Sequence, residues 1–156
     1  MSKKTKIIDD NGNTYTIEDN TEEIVDALKL AILRALERCG SQAEGYAKDL
    51  CQVSDTGEKT LQQSITHAVD PKANAVYIGT HVEYGAYVEL GTGKYYPGGR
   101  PEPWNYQDEN DEWHHTEGQE AQPYLVPAAK NHAQTYRNIF KDELGDSEHA
   151  ALKAWT

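Results

Sequence analysis

Apolar residues recur at three- and four-residue steps through Ile24, Leu28, Ala31, Ile32, Ala35, Leu36, Cys39, Ala43, Tyr46, Ala47 and Leu50. That spacing predicts one long amphipathic helix over about 21–50. Asn20 with Glu23 supplies an N-cap and a carboxylate at the third helical position, and Gly40 and Gly45 are expected to loosen the helix. Ahead of it, Lys6-Ile7-Ile8 and Thr14-Tyr15-Thr16-Ile17 flank Asp10-Asn11-Gly12-Asn13, the pattern of a hairpin with an Asn-Gly turn. Behind it, a loop through Asp55-Thr56-Gly57 leads to Leu61 and to two β-prone runs, 64–69 and 75–78, joined by a turn at Asp70-Pro71; these are expected to pair antiparallel. A second helix is predicted from about Tyr124 to Leu144, with Leu125, Ala128, Ala129, His132, Tyr136 and Ile139 or Phe140 on one side and Gly145 placed to stop it. A short tail, 146–156, is expected to be helical around Ala150.

The fold class that follows is α+β. A long N-terminal helix and a C-terminal helix pack on a small antiparallel sheet, with an N-terminal β-hairpin and a protruding aromatic, acidic hairpin. One domain spans 1–156: the hairpin 1–19, the helix, strands and tyrosine turn 20–93, an extended hairpin loop 94–121, and the C-terminal helix and tail 122–156.

The most distinctive stretch is Val76-Tyr77-Ile78-Gly79-Thr80 followed by Tyr84-Gly85-Ala86-Tyr87-Val88-Glu89-Leu90-Gly91-Thr92-Gly93. A short strand ends at a glycine, and an aromatic turn closes on Gly-Thr-Gly, where glycine permits positive φ. Later, Gln122-Pro123-Tyr124-Leu125-Val126-Pro127-Ala128 sets two prolines at a helix entrance, where a missing N–H costs little. Between them, 94–121 carries seven carboxylates against two basic residues and three aromatic anchors, Trp104, Tyr106 and Trp113. It reads as two short strands about a polar turn, standing away from the core.

The chain is acidic, with 26 Asp and Glu against 15 Lys and Arg and a formal net charge of −11, which disfavours a conventional nucleic-acid binder, since that needs a basic face to release phosphate counterions. Cys39 and Cys51 are its cysteines, about 18 Å apart along a helix at about 1.5 Å per residue, too far to bridge. Free thiols fit a reducing cytoplasm. Met1-Ser2-Lys3-Lys4 carries no apolar leader, and no run approaches the roughly 20 apolar residues of a membrane span.

Candidate chemistry is sparse. His114-His115 with Glu112 and Glu117 resembles a metal cluster, but adjacent strand residues point to opposite faces, so solvated histidines are the expectation and no metal or other cofactor is assigned. Gly91-Thr92-Gly93-Lys94 lacks the first glycine of a phosphate loop and its final Ser or Thr. Glu83 and Glu89 have no partner that would make them an acid and a base, and no Gly-x-Ser-x-Gly elbow is present. No catalytic residue is assigned. Ten tyrosines, several beside glycine or proline, fit either a core or contacts between subunits.

Gly79-Thr80, Tyr84-Gly85-Ala86-Tyr87-Val88-Glu89-Leu90-Gly91-Thr92 and Pro123-Tyr124-Leu125-Val126-Pro127-Ala128 resemble the head-tail connector family of tailed bacteriophages, the gene-product-ten-type neck or tail-completion proteins. The pattern there is a strand ending in Gly-Thr or Gly-Ser, then Tyr-Ala-x-Tyr-Val-Glu-x-Gly-Thr, then Pro-Phe-Leu-x-Pro-Ala heading a last helix. Leu61-x-x-Ser64-Ile65 and the segment Pro103-Trp104-x-Tyr106 with Trp113-His114 and Gly118 extend the likeness over roughly residues 20–144. The chain departs from the pattern at Gly85, where Ala is usual, and at Tyr124, where Phe is usual; its N-terminal hairpin lies outside it.

The resemblance implies a non-enzymatic virion protein, made in the bacterial host cytoplasm and assembled as a homo-oligomeric ring at the head-tail junction. A hexamer is expected, with a dodecamer as the alternative. Such a ring contacts other connector and tail proteins and leaves a channel that DNA crosses without specific binding. The subunit interface is then expected to use Tyr84, Tyr87, Glu89, Gly91, Thr92, Gly93, Trp104, Tyr106, Trp113, Pro123, Tyr124 and Pro127. Acids expected to face the channel are Glu83, Glu89, Asp108, Glu109, Asp111 and Glu112, since an acidic wall leaves DNA free to slide. The competing readings are a small metal-dependent enzyme built on 114–117 and a mobile-element binding or regulatory domain.

Overall fold

The computed structural model describes residues 3–51, 60–108 and 110–153, with 60 and 146–153 as backbone alone. The fold is α+β. An exposed ribbon of β1 (Lys3–Ile8) and β2 (Thr14–Asp19) leads into α1 (Thr21–Leu50). A short helix α2 (Thr60–Ser64) enters the hairpin of β3 (Ile65–Asp70) and β4 (Ala75–Thr80). Then come α3 (Gly85–Leu90), a single 3-10 turn at Gly93–Tyr95, and a second hairpin of β5 (Trp104–Gln107) and β6 (Trp113–Thr116). The chain ends in α4 (Leu125–Asn131) and α5 (Ala133–Lys153). The expected loop at 55–57 and the acid at 109 lie outside the described residues.

The long helix forms where its periodicity predicts. Its buried stripe is made of small residues, Ala31, Ala35, Cys39, Gly40, Ala43 and Ala47, with Leu36 as the one large member. Small side chains let neighbouring elements approach the helix axis closely. On one side Ala35 and Cys39 meet Ile139 of α5, with Val76, Tyr136 and Phe140 around them. Toward the C-terminal end Ala47 and Cys51 meet Leu61, Ile65, Tyr124 and Ala128. Both cysteines are buried, and burial pushes their thiols above the ordinary range.

Four local expectations are corrected. Asn20 makes no side-chain cap; the Asp19 carboxylate accepts from the Thr21 N–H at 3.0 Å and from its hydroxyl at 2.5 Å. The helix is not loosened at Gly40 or Gly45 but runs unbroken, and a side chain at Gly40 would collide with the His67 ring and with Val76. The C-terminal helix, by contrast, is two helices. It breaks at His132, where the Tyr136 hydroxyl donates to the Ala128 carbonyl at 2.6 Å, taking the acceptor an unbroken helix would offer to residue 132. The freed His132 ring stacks on Tyr46 with centroids 3.5 Å apart. Beyond the break α5 continues through Gly145 to Lys153. Arg34 and Arg38 of α1 clamp both oxygens of Glu143 on α5, at 3.2 and 2.8 Å.

The β3–β4 hairpin is tied to α1 by His67, whose Nδ1 lies 2.6 Å from a Glu44 oxygen and whose Nε2 lies 3.1 Å from Glu37. Glu44, and after it Glu37, raises the His67 pKa against the opposing effect of burial. Lys48, then His67, holds the Glu44 carboxyl below its usual range. A raised folded pKa makes the imidazolium stabilising below the unfolded value of about 6.5, and that contribution is lost as pH rises through the folded pKa. The lowered Glu44 pKa contributes above about 4.3 and is lost as pH falls through its folded value. The tie is therefore strongest near pH 5–6. Thermal melts of the wild type against His67→Gln should show a difference that is largest near pH 5.5 and shrinks toward pH 8; a difference independent of pH would exclude the ion-paired histidine.

Candidate assembly surface

The tyrosine turn folds as α3, and its Glu89 points inward. Glu89 is buried, and its two carboxylate oxygens accept the backbone N–H groups of Tyr124 at 2.6 Å, Leu125 at 2.9 Å and Val126 at 3.0 Å. The first turn of α4 has no Ser, Thr or Asp to cap it, and the next residue, Pro127, has no N–H. One side chain 35 residues upstream thus satisfies each N–H donor from 124 through 127. The Gln122 N–H adds a bond to the Val88 carbonyl at 2.8 Å.

This clasp seats Tyr124 in the core with no exposed surface, its hydroxyl donating to the Gly85 carbonyl at 3.2 Å. Burial pushes the phenol up to about 12. Gly85 is what makes room. A Cβ there would stand 2.5 Å from Thr80 Cγ2, 2.9 Å from the Tyr124 hydroxyl and 3.0 Å from Leu61 Cδ1. Thr80 is itself held, its hydroxyl 2.5 Å from that of Ser64 and accepting from the Val82 N–H at 3.1 Å.

The residues expected at a subunit interface therefore divide. Glu89 and Tyr124 are corrected to interior positions, because a carboxylate engaged by three N–H groups and a fully enclosed ring are not offered to a partner. Gly91 and Gly93 are buried as well; their backbone is stitched to the root of the β5–β6 hairpin by Thr92 N–H to Gln119 carbonyl (2.9 Å), Lys94 N–H to Glu117 carbonyl (3.2 Å) and Gln119 N–H to the Thr92 hydroxyl (2.9 Å). A Lys94–Glu117 ion pair closes the same root and raises the Lys94 pKa. Pro123 is exposed and Pro127 half-buried.

Outward, the turn presents Tyr84 and Tyr87 beside an apolar groove of about 330 Å³. The groove is lined by Ala86, Tyr87, Leu90, Tyr96 and the 91–93 backbone. Leu90 and Tyr96 were not singled out by the sequence, although a leucine inside an otherwise aromatic turn carries the signal. The β5–β6 hairpin projects from its stitched root, and its register puts Trp104 and Tyr106 on one face and Trp113 on the other. Arg100 lies over Trp104, Tyr106 stacks on His114, and Trp113 is the most exposed large apolar side chain among the described residues.

Of the candidate channel acids, Glu83, Asp111 and Glu112 are exposed, Asp108 is half-buried, Glu109 is outside the described residues, and Glu89 is corrected to the interior, where its oxygens serve the head of α4 and cannot face a channel. Asp108 organises the hairpin turn: it accepts from the Asn110 and Glu112 N–H groups at 2.9 Å and bonds His114 Nε2 at 2.9 Å, contacts that hold its carboxyl below the usual range, His114 first. His115 points the other way, to Asn105 at 2.8 Å, so the two histidines do not converge. Asp108, Glu112 and His114 do bring one potential ligand atom each within 4.8 Å. This set differs from the 114–117 grouping expected of a metal enzyme, and the hydrogen bonds of the turn account for its closeness. Among the described residues no helix is long and apolar enough to cross a membrane.

No protein-family model, curated protein or solved structure matches the chain.

Glu89→Ala removes the acceptor of three backbone donors, that of the buried Tyr124 among them, and should lower stability by about 1–3 kcal/mol, read from urea midpoints, with Glu89→Gln falling between. An unchanged midpoint would contradict the clasp. Gly85→Ala should cost about 1–3 kcal/mol by overpacking, and adding Tyr124→Phe should recover part of that loss. Strictly additive effects in this double-mutant cycle would mean that the Tyr124 hydroxyl does not set the space at Gly85.

Proposed function

We propose that the chain is a head-tail connector of the gene-product-ten type, a non-enzymatic virion protein that assembles as a ring, with six copies expected, at the neck or tail-completion position. The observation that carries this reading is that the two departures from the connector pattern face each other. Where that pattern has Ala and Phe, this chain has Gly85 and Tyr124, and the methyl of an alanine at 85 would stand 2.9 Å from the Tyr124 hydroxyl, which is one of the three groups, with Thr80 Cγ2 at 2.5 Å and Leu61 Cδ1 at 3.0 Å, that crowd the position. A paired exchange of this kind preserves one packing solution, whereas two unrelated substitutions in a chance likeness have no reason to touch.

Two further features support the reading. The Glu89 clasp joins the two most distinctive stretches, 84–93 and 122–128, into one unit. Large apolar side chains stand exposed on that unit and on the hairpin it carries, including Tyr84, Tyr87, Leu90, Tyr106 and Trp113, which suits a subunit that completes its burial by association. Glu83, Asp111 and Glu112 remain the surface acids proposed to face the DNA channel.

Replacing residues 97–115 by a short Gly-Ser linker tests the assignment, because the root bonds at 92–94 and 117–119 are retained. The shortened chain should melt within a few degrees of the parent and fail to complete infectious particles in a complementation assay. Normal particle yield from a cell supplied with this chain alone would overturn the assembly role.

A further inference from the structure

The bend between α4 and α5 is imposed by side chains, not by the backbone's own preference. From Ala128 to Leu144 the sequence holds no glycine or proline, and its apolar stripe passes through the bend unbroken. In a continuous helix the Ala128 carbonyl accepts from the His132 N–H; here the Tyr136 hydroxyl holds it at 2.6 Å, and the His132 ring lies on Tyr46. His132 itself sits at φ −113° and ψ 23°, outside the helical region. A continuous helix over 125–153 is therefore reached by giving up two side-chain contacts.

The two helices are not held alike. α4 is fixed at its head by the Glu89 clasp and seated by Tyr124 and Ala128, neither of which retains exposed surface. α5 rests on α1 through Ile139, its one buried side chain among the described residues, and through Glu143, whose partners Arg34 and Arg38 are exposed. Ion pairs made by exposed arginines contribute little. Along the same seam runs an apolar groove of about 240 Å³, whose lining includes Leu36 and Cys39 of α1, Val76 and Ile78 of β4, and Tyr136 and Phe140 of α5. Side chains bordering such a space forgo part of their packing, so the seam holds α5 less firmly than a filled one would. The buried clusters are separate as well: Cys51 gathers with Tyr124 and Ala128 under α4, and Cys39 with Ala35 and Ile139 under α5.

We infer that residue 132 is a two-position joint, bent with α5 laid on α1 and straight with α5 swung off as an intact helix while α4 stays in the clasp. The straight form adds α5 to turns already present in α4, so the undocked arm keeps its helix without a new nucleus. Swinging uncovers Ala35 and Cys39 on α1 together with Ile139 on the arm. Cys51 stays enclosed with Tyr124. The joint belongs to the single chain and does not rest on the ring reading.

The cysteines report the motion, because each is 4% exposed and they lie in different clusters. Iodoacetamide labelling of the native full chain, read by mass spectrometry of each peptide, gives an opening constant for each thiol; hydrogen exchange gives one for the amides of Ile139 and Phe140. The Cys39 constant should exceed that of the two amides by at least about tenfold, since the arm leaves with its helical bonds intact. Tyr136→Phe frees the Ala128 carbonyl and should raise Cys39 labelling about three- to tenfold with Cys51 unchanged. Glu143→Gln weakens the far hold on α1 and should act in the same sense. Any of three results overturns the joint. Equal constants for Cys39 and the Ile139 amide would mean that α5 unravels instead of swinging. Both thiols speeding up alike in Tyr136→Phe would mean that the whole molecule opens. A Cys39 rate unmoved in both variants would mean that neither contact holds the arm.

Discussion

Glu89 sets a carboxylate inside the protein with no ion pair to it among the described residues, and the rest of the molecule is arranged around that choice. Removing such a group from water is expensive unless its oxygens are well served. Here three backbone donors converge on it, and each would otherwise be an orphan at the head of α4. The cost of the charge and the cost of an uncapped helix offset one another. From that exchange follow the seat of Tyr124, the contact of Ala128 with Ala47 and Ile65, and the placing of the tyrosine turn over the end of α1.

Strongly periodic elements were legible in the sequence. The stripe from Ala31 to Ala47 and the two β-prone runs before and after Asp70-Pro71 appear where periodicity and turn chemistry put them. Helix continuity was not. Periodicity reports which residues share a face, and that face persists across the break at His132, so Leu125, Ala128, Tyr136 and Ile139 still read as one stripe. What ends α4 is a hydroxyl eight residues on capturing a carbonyl, an event with no local signature. Gly145 misleads in the opposite sense: glycine stops a helix only when the chain after it turns away, and here the backbone stays helical.

For the surface, the informative signal was an absence. A proline-flanked helix entrance with no Ser, Thr, Asp or Asn implies donors satisfied from elsewhere, and the fold chooses Glu89 although Glu117 and Glu120 lie nearer in sequence. Charge alone suggested solvent for it. The tyrosines illustrate the same limit, since Tyr124 lies in the core and Tyr87 outside it although both sit beside small or proline residues. Only the partner across the fold distinguishes them.

The stitched root at 92–94 and 117–119 has a consequence for how such a chain varies. Because the root closes the excursion independently of what lies beyond it, the intervening segment behaves as a cassette. Lengthening a flexible excursion costs only about 0.6 kcal/mol for each doubling. A neighbour of different shape can therefore be met by exchanging the hairpin, its length and its aromatic faces together, while the clasp, the helices and their cores are inherited unchanged.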